Sequence, residues 1–407
     1  MGGIQIPPQC IGEGWGGVKG LGTRSELINS LGLPASRQSA TVAVSTREDR
    51  KPLMPRVDEL FMSSKNQKIL AIVCLIIIIA IGSAIHMKLW HYDTKGEDIY
   101  YVWLEGKRIL SGENPYARIL SGNIRQNNKY ATYFPLFYLL SSFTQLMGWR
   151  EYPDWIYLWR NIFLFFNLGI AGLLFYTFYQ SKRFIFAIFS VLFWLFNRWT
   201  LHVTAIAHIE FVPIFFLILS LMIFRKHKYA SLILFSISLA LKQIAVFLVP
   251  LYLIWVWQSA ENEKAKKSLL ALLVLFSIPL LTSLPFILLN VEGFIKSILF
   301  SATRSPEGHV NAPSLDARIT NSVPAFVGIK AKIPMLFLMS LIYISAVQWK
   351  IGMYTSTLIT MFIFIDFNSV LFLQYMCWIV PLLPLVICDF LQNNQQRRQA
   401  NELDSIN

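Results

Sequence analysis

An unbroken apolar run, ILAIVCLIIIIAIGSAI at positions 69–85, limits what this chain can fold into. About 18 such residues cross a hydrocarbon core of ~30 Å as a helix, and several further apolar blocks follow this one. The chain is 14% charged, whereas soluble domains carry about 25% charged residues. Because lipid tolerates no unpaired backbone groups, we predict an all-α fold, a polytopic transmembrane helix bundle.

The net charge of +13 does not indicate nucleic acid as a partner, because of where the charges lie. They form short clusters between the apolar blocks, as the positive-inside rule expects for cytoplasmic loops. Membrane lipid is therefore the predicted partner. The four cysteines, of which three lie in apolar blocks, form no Cys-x-x-Cys pair, so we predict neither a disulfide framework nor a metal site.

Charge placement also sets the predicted topology. If residues 130–148 form a helix at the outer surface, and the long block 229–257 is split at Lys242-Gln243, every inner loop carries Lys or Arg. The result is about ten spans with both termini cytoplasmic and two long outer loops, 91–154 and 290–332. The predicted spans cover residues 69–90, 155–180, 184–196, 210–224, the two halves of 229–257, 268–289, 333–348, 351–365 and 370–390.

The N-terminal residues 1–64 differ from the rest, since they are rich in glycine and contain no apolar block. We predict a disordered cytoplasmic tail there, a transmembrane domain over 65–391 and a cytoplasmic C-terminal tail over 392–407. Gly12, Gly14 and Gly17 match a dinucleotide fingerprint, but no strand precedes them and no helix pattern follows, so the motif fails its own context test. Met62 is an alternative start, so an over-extended reading frame in residues 1–61 stays open.

The first outer loop contains a predicted amphipathic helix after Gly96. Asp98, Tyr101, Glu105 and Arg108 fall on one helical face, and Asp98 lies in the first turn, where the helix dipole favours a carboxylate. One interpretation is a capping acid followed by an exposed Glu105–Arg108 ion pair. The other is that Asp98 and Glu105 belong to a binding site.

Cations are also placed at the outer ends of the predicted spans. Lys242 interrupts an apolar block, and either it extends its ammonium to the interface or it contacts a lipid phosphate. Carboxylates and cations around one outer face suit a substrate with a phosphate at the headgroup level and an apolar tail. The other outer residues are Arg160, Arg198, His208 and Glu210, with Arg304, Glu307 and His309 in the second loop.

Four segments in this order resemble the GT-C glycosyltransferases, which use a polyprenyl- or dolichyl-phosphate sugar as donor. GEDIYYVWLEGKRILSGENPY (96–116) resembles the first outer loop of bacterial polyprenyl-phosphate-mannose-dependent mannosyltransferases. YATYFPLFYLL (130–140) and LALKQIAVFLVPLYL (239–253) are similar to segments of ER glucosyltransferases, and FNSVLFLQYMCWIVPLLPL (367–385) is similar to GPI mannosyltransferase I. The chain departs from the family in three ways: Phe134 replaces a proline, no Asp-Asp or Asp-Glu pair occurs in the first loop, and no Asp-x-Asp occurs anywhere.

The resemblance implies an inverting transfer of a hexose, with mannose favoured, from a polyprenyl-phosphate donor to a lipid-linked or cell-envelope glycan. Asp98 would be the general base. No cofactor follows from the residues, and a divalent metal stays open. The implied contacts with the donor phosphate or substrate are Lys242, Arg304, Arg160, His208, Glu105, Gln374 and Tyr375, of which the last two could instead be interfacial anchors.

Two other functional classes remain open at this stage. A lipid-linked saccharide flippase or transporter would use the same interfacial cations, and a broken helix at Lys242 fits that class. A glycan polymerase or ligase with a lipid-diphosphate donor would share the topology. The absence of an Asn-x-Ser/Thr sequon favours a bacterial plasma membrane, with the ER membrane as the expectation for a eukaryotic source.

Overall fold

The structure is a computed structural model that describes residues 64–121, 131–303, 314–323, 328–348, 350–368 and 371–404. These residues belong to one compact unit, residues 62–407. The predicted N-terminal tail and Arg304 lie outside the described residues, apart from the tail's last position, Ser64, which begins the first helix. Within the described part the chain is helical and contains no strand, which confirms the all-α prediction.

Sixteen α-helices follow one another along the described residues, joined by short 3₁₀ turns. They are α1 Ser64–Lys88, α2 Asp98–Leu110, α3 Leu136–Leu146, α4 Tyr152–Gln180, α5 Phe184–Phe196, α6 Arg198–Ala205, α7 Phe211–Ile223, α8 Lys228–Leu241, α9 Val249–Gln258, α10 Lys264–Leu289, α11 Val291–Thr303, α12 Leu315–Ser322, α13 Ile333–Val347, α14 Met353–Asp366, α15 Leu373–Met376 and α16 Leu382–Asp404.

By length and composition the described helices make the chain a helical membrane protein. Four helical segments are long and apolar enough to cross a membrane: Lys65–His91, Tyr152–Gln180, Lys264–Leu289 and Lys330–Val347. A fifth crossing is possible if α5 and α6, which meet at a bend of 44°, count as one span. Five further apolar helical segments are 10–17 residues long, so the predicted number of about ten spans stays a prediction.

The helices pack into a bundle, in which α2 and α3, from the predicted first outer loop, are here called the outer layer. Helix α4 lies against α5 and α7, α8 against α7 and α10, and α14 against α13 and α16. Helices α2 and α3 form a pair in the outer layer, where Gln145 donates to the Trp103 carbonyl at 2.9 Å. Gly106 makes this approach possible, because a Cβ there would lie 2.4 Å from Oγ of Ser141 and 2.9 Å from its Cβ.

Local sequence signals explain most helix ends in the outer layer. Helix α2 begins at Asp98, which agrees with the predicted helix after Gly96, and ends at Leu110. Gly112 follows two residues later with a φ of 80°, which suits glycine in the left-handed region. Helix α3 begins directly after Pro135 and has 11 residues, or about 16 Å, roughly half of what a hydrocarbon crossing needs. This length agrees with its prediction as a surface helix.

Two other predicted boundaries differ in outcome. Helix α8 ends at Leu241, which confirms the break at Lys242-Gln243. The predicted span 370–390 is not one helix, because α15 ends at Met376 and α16 begins only at Leu382. Helix α16 then continues to Asp404, beyond residue 392, where the C-terminal tail was predicted to begin. The helix does not end with the apolar block because the polar residues that follow it still favour a helix.

Candidate functional site

Three chain breaks bring the polar residues of the candidate site together. Asp98 begins α2, Lys242 follows the end of α8, and His208 and Glu210 occupy the short turn between α6 and α7. That turn contains Ala207 with a φ of 51°, a left-handed conformation that non-glycine residues seldom adopt. The sharp reversal places His208 beside the outer helix α2, which is 110 residues earlier in the chain.

Asp98 forms the accessible part of the site. Its side chain is 28% exposed, and its Oδ2 lies 3.1 Å from Nε2 of His208. The hydroxyl of Tyr133 donates to the same oxygen at 3.3 Å. Burial and the neighbouring Asp98 raise the pKa of Tyr133 well above its usual range, so the phenol keeps the proton that it donates. The carboxylate is thus oriented by two side chains while part of it faces outward.

A fully buried ion pair lies beneath this carboxylate. Glu210 and Lys242, both with no exposed surface, form the pair, and Nε1 of Trp378 donates to the second Glu210 oxygen at 2.6 Å. The Nδ1 atom of His208 lies 3.5 Å from Glu210 but is not aligned for a hydrogen bond and has no other partner among the described residues. His208 therefore stands between two carboxylates, one exposed and one buried.

Two aromatic rings lie near the ammonium of Lys242. Its Nζ lies 5.4 Å from the ring centroid of Tyr133 and 5.1 Å from that of Tyr375, both within the range of cation–π attraction. Gln374, the neighbour of Tyr375, is 9% exposed. The predicted contact between Lys242 and a donor phosphate would require its ion pair with Glu210 to open.

Glu105 lies in a separate cluster on α2. Its carboxylate is 1% exposed and accepts from Arg108 at 2.6 Å and from Arg118 at 2.8 Å, so the ion pair exists as predicted but is not exposed. The correction has a physical reason, because Arg118 comes from the following turn and covers the carboxylate. Burial raises the pKa of Glu105, against the opposing effect of the two arginines.

Arg160 lies in the first third of α4. Its side chain is 8% exposed, and one of its terminal nitrogens donates to the Tyr92 carbonyl at 2.8 Å. Its Nε atom is buried and has no hydrogen-bond partner in the described part of the chain. The structure thus brings Asp98, His208, Lys242 and Tyr375 together, and places Glu105 and Arg160 apart from them.

Sequence reasoning placed Glu210 among the outer residues but not among the predicted substrate contacts, and it left Tyr133 and Trp378 out altogether. The sequence signal for Glu210 was its negative charge together with its position. This acid stands at the start of one apolar block, and a lysine stands at the end of the next. Opposite charges in neighbouring apolar segments tend to pair, because an unpaired charge there is costly.

The side chains gathered here can exchange protons, since they include a carboxylate, an imidazole and a phenol. No group of three or more His, Cys, Asp or Glu side chains among the described residues is arranged to hold a metal ion. The sequence matches no protein-family model and no curated protein. The arrangement itself combines an oriented, partly exposed carboxylate with a histidine and a charge-compensated interior, and such a carboxylate can accept a proton.

Proposed function

We propose that this chain is a membrane glycosyltransferase that moves a hexose from a polyprenyl-phosphate donor to a glycan acceptor on the outer face of the membrane. Mannose is the first sugar to test, and a lipid-linked or cell-envelope glycan is the expected acceptor. The observation that carries the proposal is Asp98, a partly exposed carboxylate that His208 and Tyr133 hold in place. The resemblance to the GT-C enzymes agrees with this position, soon after the first apolar helix.

Asp98 is the general base in the proposed reaction. It removes the proton from an acceptor hydroxyl while that oxygen bonds to the anomeric carbon and the bond from this carbon to the phosphate oxygen breaks. Polyprenyl phosphate leaves with the electron pair, and the anomeric configuration inverts. A positioned base contributes about 10²–10⁴ in rate. The start of α2 favours the ionised form of Asp98 through the helix dipole.

The buried pair has a supporting role in this proposal. Glu210 and Lys242 neutralise each other, so that the interior beneath Asp98 carries no net charge that would repel a donor. Lys242 also fixes the rings of Tyr133 and Tyr375, which form one wall of the site. Tyr375 and Gln374 remain candidates for sugar contact. The proposal includes ten spans, two cytoplasmic termini and, for a bacterial source, the plasma membrane.

The test compares sugar transfer by variants of two aspartates, each of which lies in the first turn of a helix: Asp98 in α2 and Asp154 in α4. Asp98→Asn is expected to reduce transfer of radiolabelled mannose from polyprenyl-phosphate-mannose by about 10²-fold or more in detergent. Asp154→Asn is the matched control, because Asp154 lies in the first turn of α4 and is exposed. Transfer by Asp98→Asn at the wild-type rate would refute the role of Asp98.

A transporter is the second candidate, favoured by one observation. The helix breaks at Lys242, within the bundle, and the break holds a buried ion pair. Broken helices of this kind form substrate sites in secondary transporters. Movement of a lipid-linked sugar across vesicles that contain the purified protein, without a new glycosidic bond, would favour the transporter over the transferase.

A further inference from the structure

Helix α11 has an exposed apolar side. Val291, Ile295 and Leu299 are 53%, 49% and 49% exposed. They are spaced four residues apart, so they line one side of the helix. Exposed apolar patches of this kind mark a surface that another protein or a membrane covers.

The adjoining side of the same helix is charged. Glu292 and Lys296 form an ion pair at 2.6 Å, and their side chains are 67% and 56% exposed. Each follows an apolar residue by one position, which turns it about 100° around the helix axis. Charged groups are costly in hydrocarbon, so this side of α11 belongs in water or among lipid headgroups.

The third side of α11 packs against the first outer loop. The ring of Phe294 lies 4.9 Å from that of Tyr116, and Ser297 donates to the Tyr116 carbonyl at 3.5 Å. A Cβ on Gly293 would lie only 2.8 Å from the same carbonyl oxygen, so glycine allows this close approach. Tyr116 is fully buried and thus fixes α11 against the protein.

The apolar side of α11 continues an exposed apolar side of α10, which is long and apolar enough to cross a membrane. Near the end of α10, Leu284 and Leu288 are 51% and 77% exposed. Asn290 then interrupts the helix with an extended backbone, and its side-chain oxygen accepts from the Gly293 amide at 2.8 Å. The hydrocarbon around the leucines of α10 would therefore also reach the start of α11.

The length and charge of α11 limit how it can meet the membrane. Its 13 residues extend about 20 Å, which is less than the ~30 Å of a hydrocarbon core. Three basic residues near the start of α10 predict that this end is cytoplasmic, so α11 follows the outer end. These residues are Lys264, Lys266 and Lys267.

We propose that α11 lies in the plane of the outer leaflet and that phospholipid covers its apolar side. Val291, Ile295 and Leu299 contact the first carbons of the acyl chains, and the Glu292–Lys296 pair lies among the headgroups. Such helices bind through apolar area and through attraction to anionic lipid. Because the ion pair has no net charge, apolar area holds α11. This orientation does not depend on sugar transfer.

Collisions of nitroxide labels with two relaxing agents, in vesicles of phosphatidylcholine, test the orientation. Dissolved oxygen concentrates in hydrocarbon, whereas a nickel chelate stays in water. Each label is attached to a single cysteine in the full-length protein, in which alanine replaces the four native cysteines. The labelled variants are Ile295→Cys, Leu299→Cys, Glu292→Cys and Lys296→Cys.

The expected result is a difference between the two exposed sides of α11. The ratio of oxygen to nickel collisions at Ile295 and Leu299 should be about twofold or more above that at Glu292 and Lys296, since the apolar side of an interfacial helix lies about 5–10 Å into the headgroup boundary. Two controls set the limits of the scale. They are Leu281→Cys for lipid, at a residue of α10 that is 70% exposed, and Lys266→Cys for water, at a side chain that is 76% exposed.

Three results would overturn the proposal. Nickel collisions at Ile295 and Leu299 that equal those at Lys266 would place the apolar side in water. Protection of both labels from both agents would show that protein, such as a second copy of the chain, covers them. A lipid-like ratio that appears only after phosphatidylglycerol is added would show that charge, not apolar area, holds the helix.

A second measurement applies if the cysteine-free protein does not fold. Wild-type protein is irradiated in vesicles that contain phosphatidylcholine with a photoreactive group at the start of an acyl chain, and the adducts are mapped by mass spectrometry. Adducts on Ile295 or Leu299 support the proposal. Adducts confined to the spanning helices refute it.

Discussion

The buried ion pair between Glu210 and Lys242 gives the sharpest prediction about stability. Both side chains have no exposed surface, so Lys242→Met would leave a buried carboxylate without its counter-ion. Removal of one partner of a buried pair costs about 3–5 kcal/mol. Glu210 keeps its hydrogen bond from Trp378 and has Nδ1 of His208 at 3.5 Å, so we expect the lower end, about 3 kcal/mol.

The free energy of unfolding is to be measured by tryptophan fluorescence in mixed micelles with increasing dodecyl sulfate. Lys296→Met is the matched control, since Lys296 pairs with Glu292 at 2.6 Å while their side chains are 56% and 67% exposed. Lys296→Met should lower the free energy of unfolding by less than about 0.5 kcal/mol, because exposed ion pairs contribute little. The double variant Lys242→Met/Glu210→Gln should recover about 2 kcal/mol of the loss, since no buried charge remains unpaired. Equal losses in Lys242→Met and Lys296→Met would refute the existence of a buried pair.

Two further predictions concern the outer layer. Gly106→Ala should lower the free energy of unfolding by about 1–3 kcal/mol, since its Cβ would meet Ser141 of α3, whereas Gly172→Ala, which has open space, should not be destabilising. Glu105→Gln should change the pH dependence of stability. Because burial raises the pKa of Glu105 in the fold, the wild type binds more protons folded than unfolded between the ordinary glutamate value and the raised one. The stability of the wild type should therefore fall as pH rises through this window. In thermal unfolding, Glu105→Gln should not show this dependence of stability on pH. The same dependence in both proteins would contradict a raised pKa of Glu105.

The positions of the helices could largely be read from the sequence. Helices begin and end where the local sequence changes, because each residue favours or breaks a helix through its neighbours in the chain. The apolar blocks, Pro135 and the lysine within the block 229–257 are such local signals. The starts at Asp98 and Leu136 and the break after Leu241 follow from such local effects. The last apolar block was harder to interpret, because Pro381 stands five residues after the stop at Met376 and precedes the start of α16 at Leu382.

The pairing of the polar side chains could not be read in the same way. Lys242 was expected at the interface or on a lipid phosphate, whereas it pairs with Glu210, 32 residues earlier. His208 meets Asp98 across 110 residues, and Arg118 covers Glu105 from the next turn. These contacts depend on how the breaks between helices fold against one another, which the order of residues along the chain does not show.

The sequence by itself thus determined that this protein is helical and apolar enough for a membrane, because hydrophobic runs and chain-breaking residues act locally. It also determined which outer segments carry charged residues. The tertiary structure alone decided which of those charges are neutralised within the protein, as Lys242 is by Glu210, and which bond to a backbone carbonyl, as Arg160 does to that of Tyr92. The physical reason is that ion pairing is a property of distance in space, and residues far apart in the chain are brought together only by packing.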